Sequence, residues 1–268
     1  MTRIPILRHQ IAVYHSPGNG PAIFLLHGNS TSSRIFQPQF EGPLGQKFHL
    51  VAFDYPGHGE SSDAAERSDY SLPGLAEVLV EVARHAGLEA SVFVGFSLSG
   101  HVVLEASGRL AQARGFMIYG APPVGKPPAM EQAFLPHAGM GLLFQGKLSP
   151  SEAETLESGS FNPGTPVPAQ FLEDCLRTDV NWRGSFGESI AQGRYGDELE
   201  IIAALRQPLA VLHGANEQLV SLDYIRSLNI PTLWRGQVQV VPGAGHALHW
   251  EAPETFAALL EEFVTEVA

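Results

Sequence analysis

Six short apolar runs, each followed by glycine or proline, limit most strongly what this chain can fold into. They are rich in β-branched and aromatic residues and alternate with stretches of helical periodicity, which indicates βα units and a largely parallel sheet. The predicted strands are Ala22–His27, Leu50–Asp54, Ser91–Phe96, Phe116–Tyr119, Leu209–His213 and Val238–Val241. The sequence therefore predicts an α/β fold, with a mostly parallel twisted sheet flanked by helices.

Helical periodicity is clearest after Ser71, which is a good N-cap, and it stops at Gly87. Further helices are expected to begin near Leu98 and near Leu222. The last helix should close the chain, with Pro253 in its first turn.

The strand pattern disappears between Pro122 and about Ile202, and nine of the 20 prolines fall between Pro122 and Pro168. This predicts a helical cap, 122–202, inserted into an α/β core formed by 1–121 and 203–268. Short cap helices are expected around 129–144, 150–157, 168–177 and 186–192.

Charge and apolar content limit the partners of the chain. Its net charge is -12, from 28 acidic and 16 basic residues, and no basic stripe is present, so nucleic acid is not expected. The first residues lack the apolar core of a signal peptide, and no segment approaches the roughly 20 apolar residues of a membrane span. We therefore expect a cytoplasmic protein with a small-molecule substrate and no membrane partner. The one cysteine, Cys175, has no second cysteine with which to pair, and we expect it to be structural. The oligomeric state is left open.

Ser97 lies on a strand-to-helix turn. The predicted strand Ser91–Phe96 leads through the letters GFSLSG into the apolar helix HVVLEA. A nucleophile elbow needs such a sharp turn, with small residues two positions before and two after the serine, and Gly95 and Ser99 meet that need. Ser99 stands where the G-x-S-x-G motif has its second glycine. Ser97 is the predicted nucleophile.

The loop after the strand Ala22–His27 is suited to stabilising an oxyanion. Acyl transfer needs N–H donors, commonly the residue after the nucleophile and one residue in an early strand–helix loop. Leu98 and Asn29 are the candidates, and Gly28 allows close approach of the backbone. We interpret His27 as a hydrogen-bonded structural histidine.

A serine hydroxyl needs a base, and 11 histidines are available. His246 follows the last strand in the glycine-rich letters PGAGH, on a loop that can place the imidazole over the strand ends. His249 and Trp250 lie one turn further on and are interpreted as packing residues.

Glu217 is the only carboxylate in the loop ANEQLV that follows the strand LAVLHG. It is the predicted acid that orients His246, and Asp223 is the alternative. The order Ser97, Glu217, His246 is that of α/β hydrolases and differs from the orders in chymotrypsin-like and subtilisin-like enzymes.

The turn DYPGHGES is interpreted as structural, with Asp54 fixing the turn and His58 as a solvated or hydrogen-bonded loop residue. The candidates for an apolar substrate pocket are the large residues of the cap, although each also suits ordinary packing: Phe134, Leu142, Leu143, Phe144 and Phe161.

With HGNS, DYPGHGES, GFSLSG, HGANEQLV and PGAGH in this order, the chain resembles the α/β-hydrolase superfamily over Ile11–Pro122 and Ala203–Ala268. More narrowly, HGNSTSSRIFQPQFEGPLGQKF, the DYPGHGES turn, the run APP and the glutamate in the acid loop resemble the α/β-hydrolase N-acyl homoserine lactonases. This resemblance implies the same triad and backbone oxyanion donors, no metal, and a helical cap over an acyl pocket.

The leading hypothesis is a serine hydrolase that cleaves a carboxylic ester or lactone through an acyl-enzyme, without cofactor or metal. C–C bond or thioester hydrolysis by the same triad is an alternative, because fold does not fix substrate. A catalytically silent ligand-binding member of the family is a third.

Overall fold

The computed structural model describes residues 1–268, which form one eight-stranded sheet in the order β1-β2-β4-β3-β5-β6-β7-β8. The strands are β1 Thr2–Ile6, β2 His9–His15, β3 Gly20–Leu26, β4 Phe48–Phe53, β5 Val92–Phe96, β6 Gly115–Tyr119, β7 Leu209–Gly214 and β8 Gln239–Val241. All neighbours from β4 to β8 are parallel, whereas β2 runs antiparallel to both β1 and β4. The predicted α/β fold with a mostly parallel sheet is confirmed.

The hairpin of β1 and β2 was not predicted. It forms the edge of the sheet, where Thr2 pairs with Val13 and Ile6 with His9. Its turn contains Leu7 at φ 51, a conformation for which glycine is the usual residue. The six predicted strands correspond to β3 through β8, and no end differs by more than two residues.

Twelve α-helices accompany the sheet. They are α1 Gln37–Glu41, α2 Pro43–Lys47, α3 Leu72–Ala86, α4 Leu98–Ser107, α5 Met130–Ala133, α6 Pro150–Ser158, α7 Ala169–Arg177, α8 Trp182–Ala191, α9 Glu198–Ala204, α10 Leu222–Ser227, α11 Leu248–Glu251 and α12 Pro253–Val267. Short 3₁₀ helices span Ser33–Phe36, Arg67–Asp69, Met140–Phe144 and Trp234–Gly236. As predicted, α3 has Ser71 as its N-cap and ends at Gly87, which takes φ 67. None of the helices is both long and apolar enough to cross a membrane.

The core has two layers because successive strand residues point to opposite faces of the sheet. On one face the strands pack against α3 and α4 in a cluster of 36 buried residues that includes Phe24 and Phe93. On the other face α11 and α12 complete a cluster of 26 buried residues that includes Leu25 and Phe256.

Only helices lie between β6 and β7, namely α5 through α9 and one 3₁₀ helix. The helix predicted for 129–144 is instead two short helices, Met130–Ala133 and Met140–Phe144, and Pro136 lies in the gap between them. The predicted helices at 150–157 and 168–177 correspond to α6 and α7. The cap boundaries 122–202 stay a prediction.

Candidate active site

The turn at Ser97 is sharp and strained. Strand β5 ends at Phe96, α4 begins at Leu98, and Ser97 between them takes φ 52 and ψ -120. A non-glycine residue in this region costs free energy and persists only where the surrounding structure enforces it. Here the Ser97 N–H donates to the carbonyl oxygen of Tyr119 on the neighbouring strand, at 2.8 Å.

The small residues around Ser97 are required by close contacts. A Cβ atom at Gly95 would lie 2.3 Å from the carbonyl oxygen of Ser99, so no side chain fits there. Ser99 is fully buried, and its hydroxyl donates to the carbonyl oxygen of His27 at the end of β3. The serine in the second small position therefore ties the elbow to the strand that precedes the Asn29 loop.

His246 and Glu217 form a buried pair. The Nδ1 atom of His246 lies 2.8 Å from Oε2 of Glu217, and the two side chains are 4% and 1% exposed. The other carboxylate oxygen, Oε1, accepts the Leu219 N–H at 2.8 Å. Burial favours the neutral acid, but the attraction of His246 and these hydrogen bonds outweigh it and lower the pKa of Glu217. Asp223, the alternative acid, is exposed on α10.

Ser97 and His246 line the same cavity, which has a volume of about 150 Å³. Gly120, at the end of β6, packs directly against the imidazole and takes φ 64; a Cβ there would lie 2.6 Å from His246 Cε1. The ring of Phe96 lies on another side of His246, with 5.1 Å between ring centroids. The imidazole is therefore held by packing as well as by Glu217.

Asn29 and Leu98 line this cavity too. The Asn29 backbone N–H makes no hydrogen bond within the protein. Leu98 is the first residue of α4, so its N–H has no acceptor inside the helix. Both N–H groups are thus available at the cavity.

The side chain of Asn29 is anchored from the helical segment, the name used for α5 through α9 between β6 and β7. Its Oδ1 accepts the indole N–H of Trp182 at 2.8 Å and the hydroxyl of Ser30 at 2.6 Å. Arg183, fully buried, donates from Nε to the same Ser30 hydroxyl at 2.9 Å. Residues of α8 therefore position the loop that carries Asn29.

The residues interpreted as structural are held within the protein. His27 contacts the Gly28 carbonyl oxygen through Nδ1 and accepts the Tyr55 N–H at Nε2. Asp54 accepts the backbone N–H groups of Ser33 and Glu60, each at 2.8 Å, and so fixes its turn.

Aromatic packing accounts for the other histidines near the site. The ring of His58 is fully buried against Trp182, and its Nδ1 lies 3.0 Å from the Pro56 carbonyl oxygen. Of the two predicted alternatives for His58, the structure therefore has the hydrogen-bonded loop residue and not the solvated one. His249 packs against Phe36 and Phe96, and burial lowers its pKa to about 3.

Trp250 packs edge-on against Phe171, with 5.4 Å between ring centroids. Cys175 is a buried free thiol, and burial raises its pKa to about 12.

Three of the five predicted pocket residues, Phe134, Leu143 and Phe144, line the cavity. The other two lie elsewhere. Leu142 packs against a small cluster within the helical segment, and Phe161 is fully buried against Phe171 in the core on the α12 face. A buried apolar residue is compatible with any of these clusters, and only the path of the backbone decides among them.

A second histidine–glutamate pair in the cavity was not predicted. His101 on α4 and Glu198 at the start of α9 both line it, with Nδ1 of His101 2.9 Å from a Glu198 carboxylate oxygen. The spacing of four residues from Ser97 was a signal that could have found His101, because such residues share a helix face. Glu198, about 100 residues further along the chain, carried no such signal.

Comparisons with known proteins fit this geometry. The model of the Alpha/beta hydrolase family matches residues 23–259. The chain belongs to this family. The predicted enzyme class, a hydrolase, is thereby confirmed, together with the predicted superfamily. No three His, Cys, Asp or Glu side chains converge in an arrangement that could hold a metal ion.

Among solved structures, this α/β hydrolase is similar to a mutant of the N-acyl homoserine lactonase AidH complexed with N-hexanoyl homoserine lactone. The identity is 35%, the TM-score is 0.95, and the match covers 99% of this chain and 97% of that one. The narrower resemblance inferred from the sequence is thus found in the structure as well.

More distant similarities extend to esterases. The pimeloyl-[acyl-carrier protein] methyl ester esterase of Xanthomonas campestris pv. campestris (strain B100) is 28% identical over 262 residues, which cover 92% of this chain and 96% of that protein. An esterase from Exiguobacterium antarcticum shares the fold, with 21% identity, a TM-score of 0.78 and coverage of 98% and 99%.

Proposed function

We propose that this α/β hydrolase opens the ring of N-acyl homoserine lactones, with Ser97 as nucleophile, His246 as base and Glu217 as the acid that orients it. The observation that carries the proposal is the match to AidH, which extends over nearly the whole chain and so includes the helical segment beside the cavity. The buried 2.8 Å contact between His246 and Glu217, in the cavity that Ser97 lines, supports the assignment of the triad.

The contacts suit each step of acyl transfer. With its proton on Nδ1 and shared with Glu217, the imidazole presents Nε2 as an acceptor for the Ser97 proton. The Ser97 oxygen attacks the lactone carbonyl, and the N–H groups of Asn29 and Leu98 stabilise the resulting oxyanion. When the intermediate collapses, the ring C–O bond breaks, and the proton on His246 passes to the leaving oxygen.

In a lactone the leaving alcohol stays attached to the acyl group, so the ring-opened ester remains on Ser97. A water molecule then attacks this ester, His246 accepts its proton, and the proton returns to the serine oxygen as the acyl–serine bond breaks. The product is the N-acyl homoserine, which is one water heavier than the substrate.

The cavity wall is suited to an acyl chain. Thirteen of its 20 lining residues are hydrophobic, among them Phe134, Leu143 and Phe144 from the helical segment. Burial of apolar surface contributes about 0.8 kcal/mol per CH₂ group, so chain length should affect KM.

The test is incubation with N-hexanoyl homoserine lactone and mass spectrometry of the product, with the Ser97→Ala variant as control. We expect N-hexanoyl homoserine to form with the wild-type protein only, and EDTA to leave the rate unchanged because the proposed triad uses no metal. Product formation no faster than with Ser97→Ala would contradict the proposal.

A methyl ester is a second candidate substrate, favoured by the 28% identity to the Xanthomonas esterase over 92% of this chain. The same triad would release methanol from it. Comparison of kcat/KM for hexanoyl homoserine lactone and methyl hexanoate separates the two, and we expect the lactone to be preferred.

A further inference from the structure

The feature with no role in the proposed reaction is the pair of His101 and Glu198. His101 lies on α4 four residues after Ser97, about one helical turn along the same face. Both residues of the pair line the cavity that contains Ser97. The imidazole of His101 is therefore close to the position of a bound substrate, on the wall that α4 contributes.

The pair fixes the orientation of the imidazole. Nδ1 of His101 lies 2.9 and 3.0 Å from the two carboxylate oxygens of Glu198, whose side chain is only 1% exposed. Glu198 also accepts the backbone N–H of Val124 at 2.8 Å, so its position is fixed from two sides. The Nδ1–H group therefore donates its hydrogen bond to Glu198. The opposite ring nitrogen, Nε2, makes no hydrogen bond within the protein, and the His101 side chain is 16% exposed.

Hydrogen-bonding groups are scarce in this cavity. Apart from Asn29, Ser97 and His246, the lining side chains with such groups are those of His101, Tyr195 and Glu198. A polar group on an apolar wall discriminates strongly, because a ligand that lacks the matching atom leaves that group without a partner.

Glu198 favours the protonated form of His101. Burial lowers the pKa of His101, but the charge of Glu198 and the hydrogen bond to it more than compensate, so the net shift is upward. A protonated imidazole carries hydrogen on both ring nitrogens. In this form, the Nε2–H group of His101 would be matched by a ligand that carries an acceptor oxygen.

We propose that His101, held by Glu198, determines specificity by donating from Nε2 to a second carbonyl oxygen of the substrate, about one helical turn from the scissile carbonyl. This inference rests on the proposed lactone hydrolysis. In an acyl homoserine lactone the second carbonyl is the amide oxygen or, in a 3-oxoacyl chain, the ketone oxygen. Plain alkyl lactones have neither.

The test measures binding rather than turnover, by calorimetry on the Ser97→Ala protein. Three ligands are compared: N-hexanoyl homoserine lactone, its 3-oxo analogue, and a butyrolactone of equal length in which methylene groups replace the amide. We expect one of the carbonyl-bearing ligands to bind at least about tenfold more tightly than its counterpart without that carbonyl. The pair of ligands that shows the difference identifies the carbonyl.

His101→Asn is the decisive second substitution. Its amide can replace Nδ1 at Glu198, but it is too short to reach the position of Nε2, so the affinity ratio should fall to about one. Glu198→Gln, which keeps the imidazole, should also reduce the ratio. Tyr195→Phe removes the hydroxyl of the remaining polar residue on the cavity wall and should leave the ratio of ligand affinities unchanged. Thermal unfolding establishes that each variant is folded.

If His101→Asn reduced the affinity for all three ligands equally, the pair would serve only to join α4 to α9. That result would overturn the inference. Equal affinities for the three ligands before the second substitution would overturn it as well. Turnover by the wild-type protein is measured separately. A selective binder that hydrolyses no lactone would refute the proposed function and leave the binding role of His101 standing.

Discussion

The strand ends and the helical segment contribute to the same cavity but are held in different ways. At the strand ends, Ser97 and His246 are positioned by backbone geometry and tight contacts, such as that of Gly120 with the imidazole. In the helical segment, the buried guanidinium of Arg183 donates to the carbonyl oxygens of Gly146 and Cys175 at 2.8 and 2.6 Å.

Under the proposed function, the residues that react and the segment that helps to select the substrate are therefore held in place by different interactions. At the strand ends, the backbone geometry and close packing that position Ser97 and His246 do not themselves change with pH. The helical segment is held by ionisable groups, among them Glu157 and Asp174, whose pKa values burial raises to about 8 and about 6. Its stability should therefore depend on pH through these two groups.

The largest effect is expected for Ser97→Ala. It should lower kcat/KM for the lactone by at least about 10³, because the hydroxyl supplies the covalent step, while the fold is retained. Turnover assays and circular dichroism measure the two quantities. Near-normal turnover would remove Ser97 from the mechanism.

Glu217→Gln should follow, with a loss of about 10²–10⁴ in kcat/KM, because it keeps the shape of the side chain but removes the charge that stabilises the imidazolium. Asp223→Asn on the exposed face of α10 is the matched control and should have little effect. If the control were inactive and Glu217→Gln active, the acid would have to be reassigned to Asp223.

A smaller loss, about 10–100-fold, is expected for Gly120→Ala, since the new methyl group must displace His246 and small misplacements of a catalytic group reduce the rate. Gly236→Ala is the control for backbone strain alone. Gly236 has the same φ of 64 but nothing within 4 Å of the added carbon. Equal losses in both variants would show that strain, and not contact with His246, is responsible.

The helical segment is tested through Glu157, whose side chain is buried on α6. Burial keeps its proton on in the folded state up to about pH 8, whereas in the unfolded chain it ionises near 4.5. Between these values the unfolded state loses a proton that the folded state retains, so rising pH favours unfolding. Relative to Glu157→Gln, the wild-type protein should lose up to about 4 kcal/mol of stability between about pH 5 and pH 8.

Urea denaturation of both proteins at the two pH values measures this effect. Glu154→Gln, on the same helix but exposed, is the control and should follow the wild-type protein. Parallel pH dependence of the wild-type protein and Glu157→Gln would show that Glu157 does not carry the pH sensitivity of the helical segment.

Segments could be predicted from the sequence where their residues are compatible with only one environment in the fold. The apolar runs of β4 through β7 and the second half of β3 are buried on both faces and cannot be surface segments, so they were predictable. The hairpin of β1 and β2 was missed because its first strand is mostly exposed and no glycine marks its turn.

The same distinction applies to the site. Ser97, Glu217 and His246 each follow a predicted strand, and the carboxyl ends of parallel strands meet at one edge of the sheet, so their proximity could be expected. Phe161 and Glu198 lie in a segment without strands. Its course depends on packing between distant residues, which no local pattern encodes.

The left-handed backbone at Ser97 has a practical consequence. Any side chain at this position is strained, whereas glycine adopts such angles freely, so Ser97→Gly should be more stable than Ser97→Ala by about 1 kcal/mol. Equal melting temperatures of the two variants would argue against it. At this position, a gain in heat resistance would thus abolish the proposed reaction. Directed evolution of this protein for thermostability would therefore need an activity assay in every round.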